Sequence, residues 1–113
     1  MNLNKYDFVI GVPFSGMENM VTVPYKIAPR EDIAIAIAFG AMLAGKKPLV
    51  FMQNSGFGLC VDIITSLLKP CKTEIPLLIY NRHKPDHHKY MGEVTKSIIK
   101  KLAYKEVYLI EEN

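Results

Sequence analysis

The sequence predicts an α/β fold: a three-layer, mostly parallel open sheet with helices on both faces. Three observations point to it. Short apolar runs at residues 8–12, 49–53, 76–80 and 107–110 are of strand length, and 49–53 is continuously apolar, as in a strand buried on both faces of a parallel sheet. Longer segments of helical composition separate these runs, which is the alternation of α/β proteins. Right-handed crossovers between successive strands then make the sheet mostly parallel.

Each element has its own signals. Residues 8–12 read as a buried strand ended by Gly11, Pro13, Ser15 and Gly16. Residues 21–25 are a candidate second short strand, with 18–20 at most a helical turn, and Pro29 punctuates the connection. Residues 30–44 predict a helix: alanine, leucine and methionine favour it, and Glu31 and Asp32 complement the dipole of its first turn. Gly45, Lys46, Lys47 and Pro48 close it. From Ile33 to Ala44 this helix is apolar all round, which calls for burial on every side. Residues 49–53 form the next strand, 54–58 a turn, and 59–68 a helix stopped by Pro70. Residues 76–80 are a strand and 81–92 a polar loop. Residues 95–105 predict an amphipathic helix with Ile98, Ile99 and Leu102 inward and Lys96, Lys100 and Lys101 outward. The last strand is 107–110.

The chain has 113 residues, half of them hydrophobic and 22% charged. That fits one small globular domain, residues 1–113, and excludes a self-contained enzyme with separate cofactor and substrate domains. The wholly apolar helix is large for such a chain, so part of its apolar surface is expected to be an interface. The net charge of +3, from 14 basic and 11 acidic residues, is a mild excess without the clustered, aromatic-interleaved patch of a nucleic-acid binder. Residues 1–6 lack the apolar stretch of a secretory signal, and no apolar window is long enough to span a membrane. A cytoplasmic location with reduced thiols is therefore expected for Cys60 and Cys71, whose spacing suits neither zinc nor redox motifs.

Four constellations carry chemistry. Glu31 places a carboxylate at the head of an otherwise apolar helix, either as dipole complement or as a partly buried group awaiting a donor from a ligand. Gln53, Asn54, Ser55, Gly56, Phe57 and Gly58 lie between a strand's carboxyl end and a helix start, the edge where open α/β sheets bind ligands. They match neither a P-loop nor the six-residue dinucleotide fingerprint. His83, Lys84, Pro85, Asp86, His87 and His88 form a loop read as solvated, as anion-binding or, least favoured, as metal-ligating. Residues 11–16 follow a strand and belong to the same sheet edge.

Together these segments resemble the sulfopyruvate and phosphonopyruvate decarboxylases, and more closely the alpha subunit that carries only the pyrimidine-binding domain of thiamine-diphosphate enzymes. The resemblance rests on Gly11-Val12-Pro13-x-Ser15-Gly16, on Arg30-Glu31 before the alanine-rich helix, on Met52-Gln53-Asn54-Ser55-Gly56-Phe57-Gly58, and on the histidine loop with Met91-Gly92-Glu93. It implies a pyrimidine-binding domain shortened at its N-terminus. It implies that Glu31 hydrogen-bonds N1′ of the aminopyrimidine of thiamine diphosphate and that Gln53, Asn54, Ser55, Gly56 and Phe57 line the cofactor. Pro13, Ser15, Arg82 and His87 or His88 are then candidates for contacting a small anionic 2-oxo acid. The superfamily's Gly-Asp-Gly is missing from this sequence. The resemblance therefore assigns Mg²⁺ and the diphosphate to a beta subunit, in a hetero-oligomer with an alpha-alpha or alpha-beta interface through residues 33–44. No nucleic acid and no membrane are expected. Two alternatives stay open at this point: a non-catalytic homologue acting as a dimerisation or regulatory subunit, and a flavodoxin-like nucleotide-binding module.

Overall fold

The computed structural model describes residues 1–113. Five strands form one wholly parallel sheet: β1 (Phe8–Gly11), β2 (Lys26–Ile27), β3 (Pro48–Gln53), β4 (Leu77–Asn81) and β5 (Val107–Glu111). Their order across the sheet is β2-β1-β3-β4-β5. The chain steps one way from β1 to β2, then the other way from β2 through β3 and β4 to β5. That reversal puts the topological switch point, where such sheets bind ligands, between the carboxyl ends of β1 and β3. The register aligns this edge: Gly11 lies level with Ile27 and Phe51, Gln53 with Tyr80, and Asn81 with Glu111.

All crossovers after β2 run in one direction, so a common handedness places their helices on one face. These are α1 (Glu31–Leu43), α2 (Asn54–Gly58), α3 (Val61–Ile63, continued by a π turn at Ile64–Leu68) and α4 (Lys89–Lys101). The main core lies beneath them. Ile10, Val50, Met52, Leu77 and Ile79 of the sheet meet Ala34, Ile35 and Ala38 of α1 and Phe57, Ile64 and Leu68. Ile98, Ile99 and Leu102 pack in from α4 and its end, on the predicted face. The opposite face, with Val9, Leu49, Phe51 and Leu78, is covered by Leu3, Met17 and Val21. This third layer is thin, with 3₁₀ turns at Leu3–Lys5 and Met17–Asn19 as its helical elements.

Several boundaries differ from expectation for identifiable reasons. The second strand is Lys26–Ile27 rather than 21–25: Val21 turns into the second-face core, and Pro24 has no N–H to give a ladder. Residues 54–58 wind into a helical turn instead of a simple loop. The last helix starts at Lys89 and stops at Lys101, and Ala103 beyond it adopts a left-handed φ of 52°. The π turn contains Thr65 and Ser66, whose hydroxyls donate to the Val61 and Asp62 carbonyls at 2.9 and 2.6 Å.

The apolar surface of α1 is only partly covered within the chain. The helix buries Ala34, Ile35 and Ala38 against the sheet, but its other face is open within the chain. Ile33, Ile37 and Leu43 are 38%, 42% and 71% exposed. Ala36 and Gly40 lie between them, and nothing approaches the Cβ direction of Gly40 within 4 Å. No helix of the chain is long and apolar enough to cross a membrane.

Candidate functional site

The two acids that open α1 have different surroundings. Asp32 is occupied: Arg30 Nε and Nη2 donate to its two oxygens at 3.1 and 2.9 Å, and the Ile33 amide donates to it at 3.0 Å. Glu31 has no such partner and is half-buried. Its side chain lies across the α2 turn, directly over Gly56. A Cβ placed on Gly56 would run into Glu31 Cγ, Cδ and Oε2. Beneath the same turn, the buried Cys60 Sγ donates to the Gly56 carbonyl at 3.4 Å. Burial, reinforced by the nearby charges of Glu31 and Asp32, pushes the Cys60 thiol up to about 12, so it stays a protonated donor at neutral pH.

The rest of the predicted turn divides by exposure. Asn54 is fully buried. Its Nδ2 donates to Asn81 Oδ1 at 2.9 Å, to the Arg82 carbonyl at 3.0 Å and to Thr95 Oγ1 at 3.1 Å, and its Oδ1 accepts from the Arg82 amide at 3.0 Å. Phe57 is buried in the main core. Both side chains are spent on the fold, so the backbone is what these two positions can offer a ligand. Gln53 is half-buried and Ser55 exposed, so these two remain accessible.

Arg82 follows β4 and joins this edge through Gln53, whose Oε1 accepts from Arg82 Nη1 at 3.2 Å. Arg82 Nη2 donates to the Lys84 carbonyl at 3.5 Å, and its buried Nε is 3.6 Å from Glu112 without a hydrogen bond. Glu112 is the organiser of this loop. One of its oxygens accepts from the His83 and Lys84 amides, each at 2.9 Å, and these donors hold its carboxyl below the usual carboxylate range. Lys84 Nζ donates to the Asn113 carbonyl at 2.7 Å, and Asn81 Nδ2 donates to both oxygens of Glu111. The end of β5 therefore clamps the Arg82–Lys84 segment.

The two candidate histidines are adjacent but unlike. Their rings lie 4.0 Å apart, tilted by 43°. His87 is exposed, whereas His88 is buried. Burial, with the charge of Arg82 adding to it, pushes His88 below its ordinary value, so its imidazole is neutral at pH 7. Pro13 and Ser15 are exposed on the loop after β1, and Phe14 between them stacks on Tyr80 at 5.5 Å.

The structure thus brings Glu31, Gln53, Ser55, Pro13, Ser15 and Arg82 to one sheet edge, and it places His87 outward. Sequence reasoning missed Asn81, Glu112 and Gly92. A Cβ on Gly92 would lie 2.6 Å from that of His83, so this glycine lets α4 close on the loop. The available signal was the acidic end of β5 set against the basic residues 82–89. The clefts of the chain lie elsewhere. One of about 340 Å³, lined by Tyr6, Phe8, Val23 and Tyr25 among others, opens at the amino ends of the strands, away from Glu31.

No protein-family model matches the chain. It is 37% identical over 93 residues to the alpha subunit of sulfopyruvate decarboxylase from Methanocaldococcus jannaschii, covering 74% of this chain and 52% of that protein. Against the corresponding subunit of Methanococcus maripaludis it is 32% identical over 106 residues, 82% of this chain and 62% of the relative. It is 30% identical over 106 residues to the phosphonopyruvate decarboxylase of Streptomyces viridochromogenes, 80% of this chain and 26% of that protein.

Proposed function

From its homology to sulfopyruvate decarboxylase alpha subunits and to phosphonopyruvate decarboxylases, we propose that this chain is the pyrimidine-binding part of a thiamine-diphosphate-dependent decarboxylase. Its substrate is a 2-oxo acid with a second anionic group. The observation that carries the reading is the Glu31 carboxyl, half-buried and unpaired, held over Gly56 at the switch-point edge.

The residues present fit the aminopyrimidine end of the cofactor. Glu31 supplies an acceptor with no internal competitor, and Gln53 and Ser55 offer polar groups beside it. In this reading Glu31 shares a proton with N1′ of the aminopyrimidine, the step that activates the ring. The bound cofactor supplies the electron sink for the electron pair released as CO₂ departs. Arg82 directs its guanidinium at the second anionic group of the substrate, a pairing favoured by charge-assisted hydrogen bonds. Glu112 holds the segment that presents it. His88, neutral and packed beside the loop, donates or accepts without adding charge, and we assign it the role in preference to His87.

The site needs a partner. The chain contains no Gly-Asp-Gly, so Mg²⁺ and the diphosphate fall to a beta subunit that carries it. The subunit-alpha names of the relatives support an assembly of this kind. The open stripe of Ile33, Ile37 and Leu43 on α1 is the surface on which that partner docks, with Ala36 and Gly40 allowing close helix approach.

The test mixes the chain with a Gly-Asp-Gly-bearing partner, thiamine diphosphate and Mg²⁺, and follows CO₂ release from sulfopyruvate and phosphonopyruvate. Turnover that disappears in Glu31→Gln supports the proposal. An active mixture in which Glu31→Gln keeps full turnover overturns it. Stable association without cofactor-dependent turnover points instead to a dimerisation or regulatory subunit.

A further inference from the structure

We propose that Gly56 is the seat of the Glu31 carboxyl, a positioning residue that acts through Glu31 rather than by touching a ligand. The inference rests on the reading that Glu31 handles the cofactor's proton. Four observations lead to it. The atoms nearest a Cβ on Gly56 are Cγ, Cδ and Oε2 of Glu31, all from one side chain. Gly56 sits in a helical turn without a positive φ, so the backbone does not require glycine there, and glycine is among the poorest helix formers. Its neighbour Gly58 is different: a Cβ there meets Met91 Cε at 3.6 Å, an ordinary contact. Finally, the turn cannot retreat. Asn54 is tied to Asn81, Arg82 and Thr95, Phe57 is locked in the core, and Cys60 holds the Gly56 carbonyl from below.

The group that must move when a side chain appears at position 56 is therefore Glu31, whose far end is a flexible carboxyl. Gly56→Ala is expected to fold while its carboxyl swings off the turn. Displacing a reacting group by roughly an ångström costs on the order of 100-fold in rate. In the complex with the partner subunit, kcat is expected to fall by about that factor, with KM for the 2-oxo acid unchanged within about twofold.

A second readout needs neither partner nor cofactor. Nuclear Overhauser contacts between the Glu31 Hγ protons and the Hα of residue 56 are recorded in the isolated chain, in wild type, Gly56→Ala and Gly58→Ala. The expected result is that wild type and Gly58→Ala show these contacts and Gly56→Ala loses them. The same contacts in Gly56→Ala, with unchanged Glu31 side-chain shifts, overturn the proposal. If Gly56→Ala is too unstable to measure, its effect on the thermal midpoint is compared in wild-type and Glu31→Ala backgrounds. A penalty that vanishes without Glu31 supports the seat, and an equal penalty in both refutes it. The two readings separate cleanly. Glu31→Gln that retains turnover defeats the functional proposal, while the proton contacts still decide whether Gly56 positions Glu31.

Discussion

Asn54→Leu should cost this chain a large part of its stability, although leucine keeps the branched outline of asparagine. Leucine leaves the Arg82 amide without its acceptor and the Arg82 carbonyl without its donor. Thr95 Oγ1 keeps its bond to the Met91 carbonyl and Asn81 Nδ2 its bonds to Glu111, but the buried Asn81 Oδ1 also loses its donor. Three polar groups left unmade, at about 1–2 kcal/mol each in this setting, give a loss of about 3–6 kcal/mol. A domain of this size has about 5–15 kcal/mol in total, and at least about 4 °C per kcal/mol near 100 residues corresponds to a fall of about 12 °C or more in Tm. Urea unfolding should show a lower midpoint with an unchanged slope, because the surface exposed on unfolding is the same. Amide resonances of residues 81–84 should shift or broaden. A variant within about 1 kcal/mol of wild type, with those resonances in place, would show that Asn54 is not the tie between the β3 turn and the Arg82 segment.

Tyr104→Phe should lose about 1–3 kcal/mol in urea unfolding, because the buried hydroxyl both accepts from the Ile75 amide and donates to the Ile75 carbonyl. Acid should destabilise the chain in two steps. The folded pKa of His88 lies below its ordinary 6.5, so the unfolded state binds the extra proton, and stability present above 6.5 falls as the pH drops below it. Glu112, held below its ordinary 4.5, contributes stability above that value and loses it as pH falls through its folded pKa. Thermal midpoints across pH should lose the upper step in His88→Gln and the lower one in Glu112→Gln. Ile37→Asp lies on the open face of α1, so the isolated chain should unfold within about 0.5 kcal/mol of wild type. The same variant should abolish co-elution with the Gly-Asp-Gly-bearing partner proposed above in size-exclusion chromatography.

The strands and the long helix were legible in the sequence because each carries a continuous or periodic apolar signal. Residues 49–53 and 77–80 are buried almost throughout, and their short length between turn residues marks such apolar runs as strands rather than helices. The second strand was misplaced because two residues at a sheet edge are fixed by pairing with Ile10 and Gly11 rather than by their own pattern. Glu31 and the 53–58 turn stood out through residue type. Which of their side chains would be free did not, because that depends on partners 27 to 41 positions away in the chain. The role of Glu112 was hidden for the same reason, since nothing local to it names the His83 and Lys84 amides it receives. Exposure alone separates His87 from His88, and adjacent identical residues carry no sequence signal that distinguishes them.

Open strand borders invite backbone pairing between molecules, the route to fibres. Here one border is β2, only two residues long and led by Lys26, and the other, β5, runs into consecutive glutamates. Neither offers a long uncharged ladder to a neighbour. A molecule with greasy helix surface and blunted borders is steered toward self-limiting contacts made by side chains, which close at a fixed stoichiometry, and away from open-ended polymerisation.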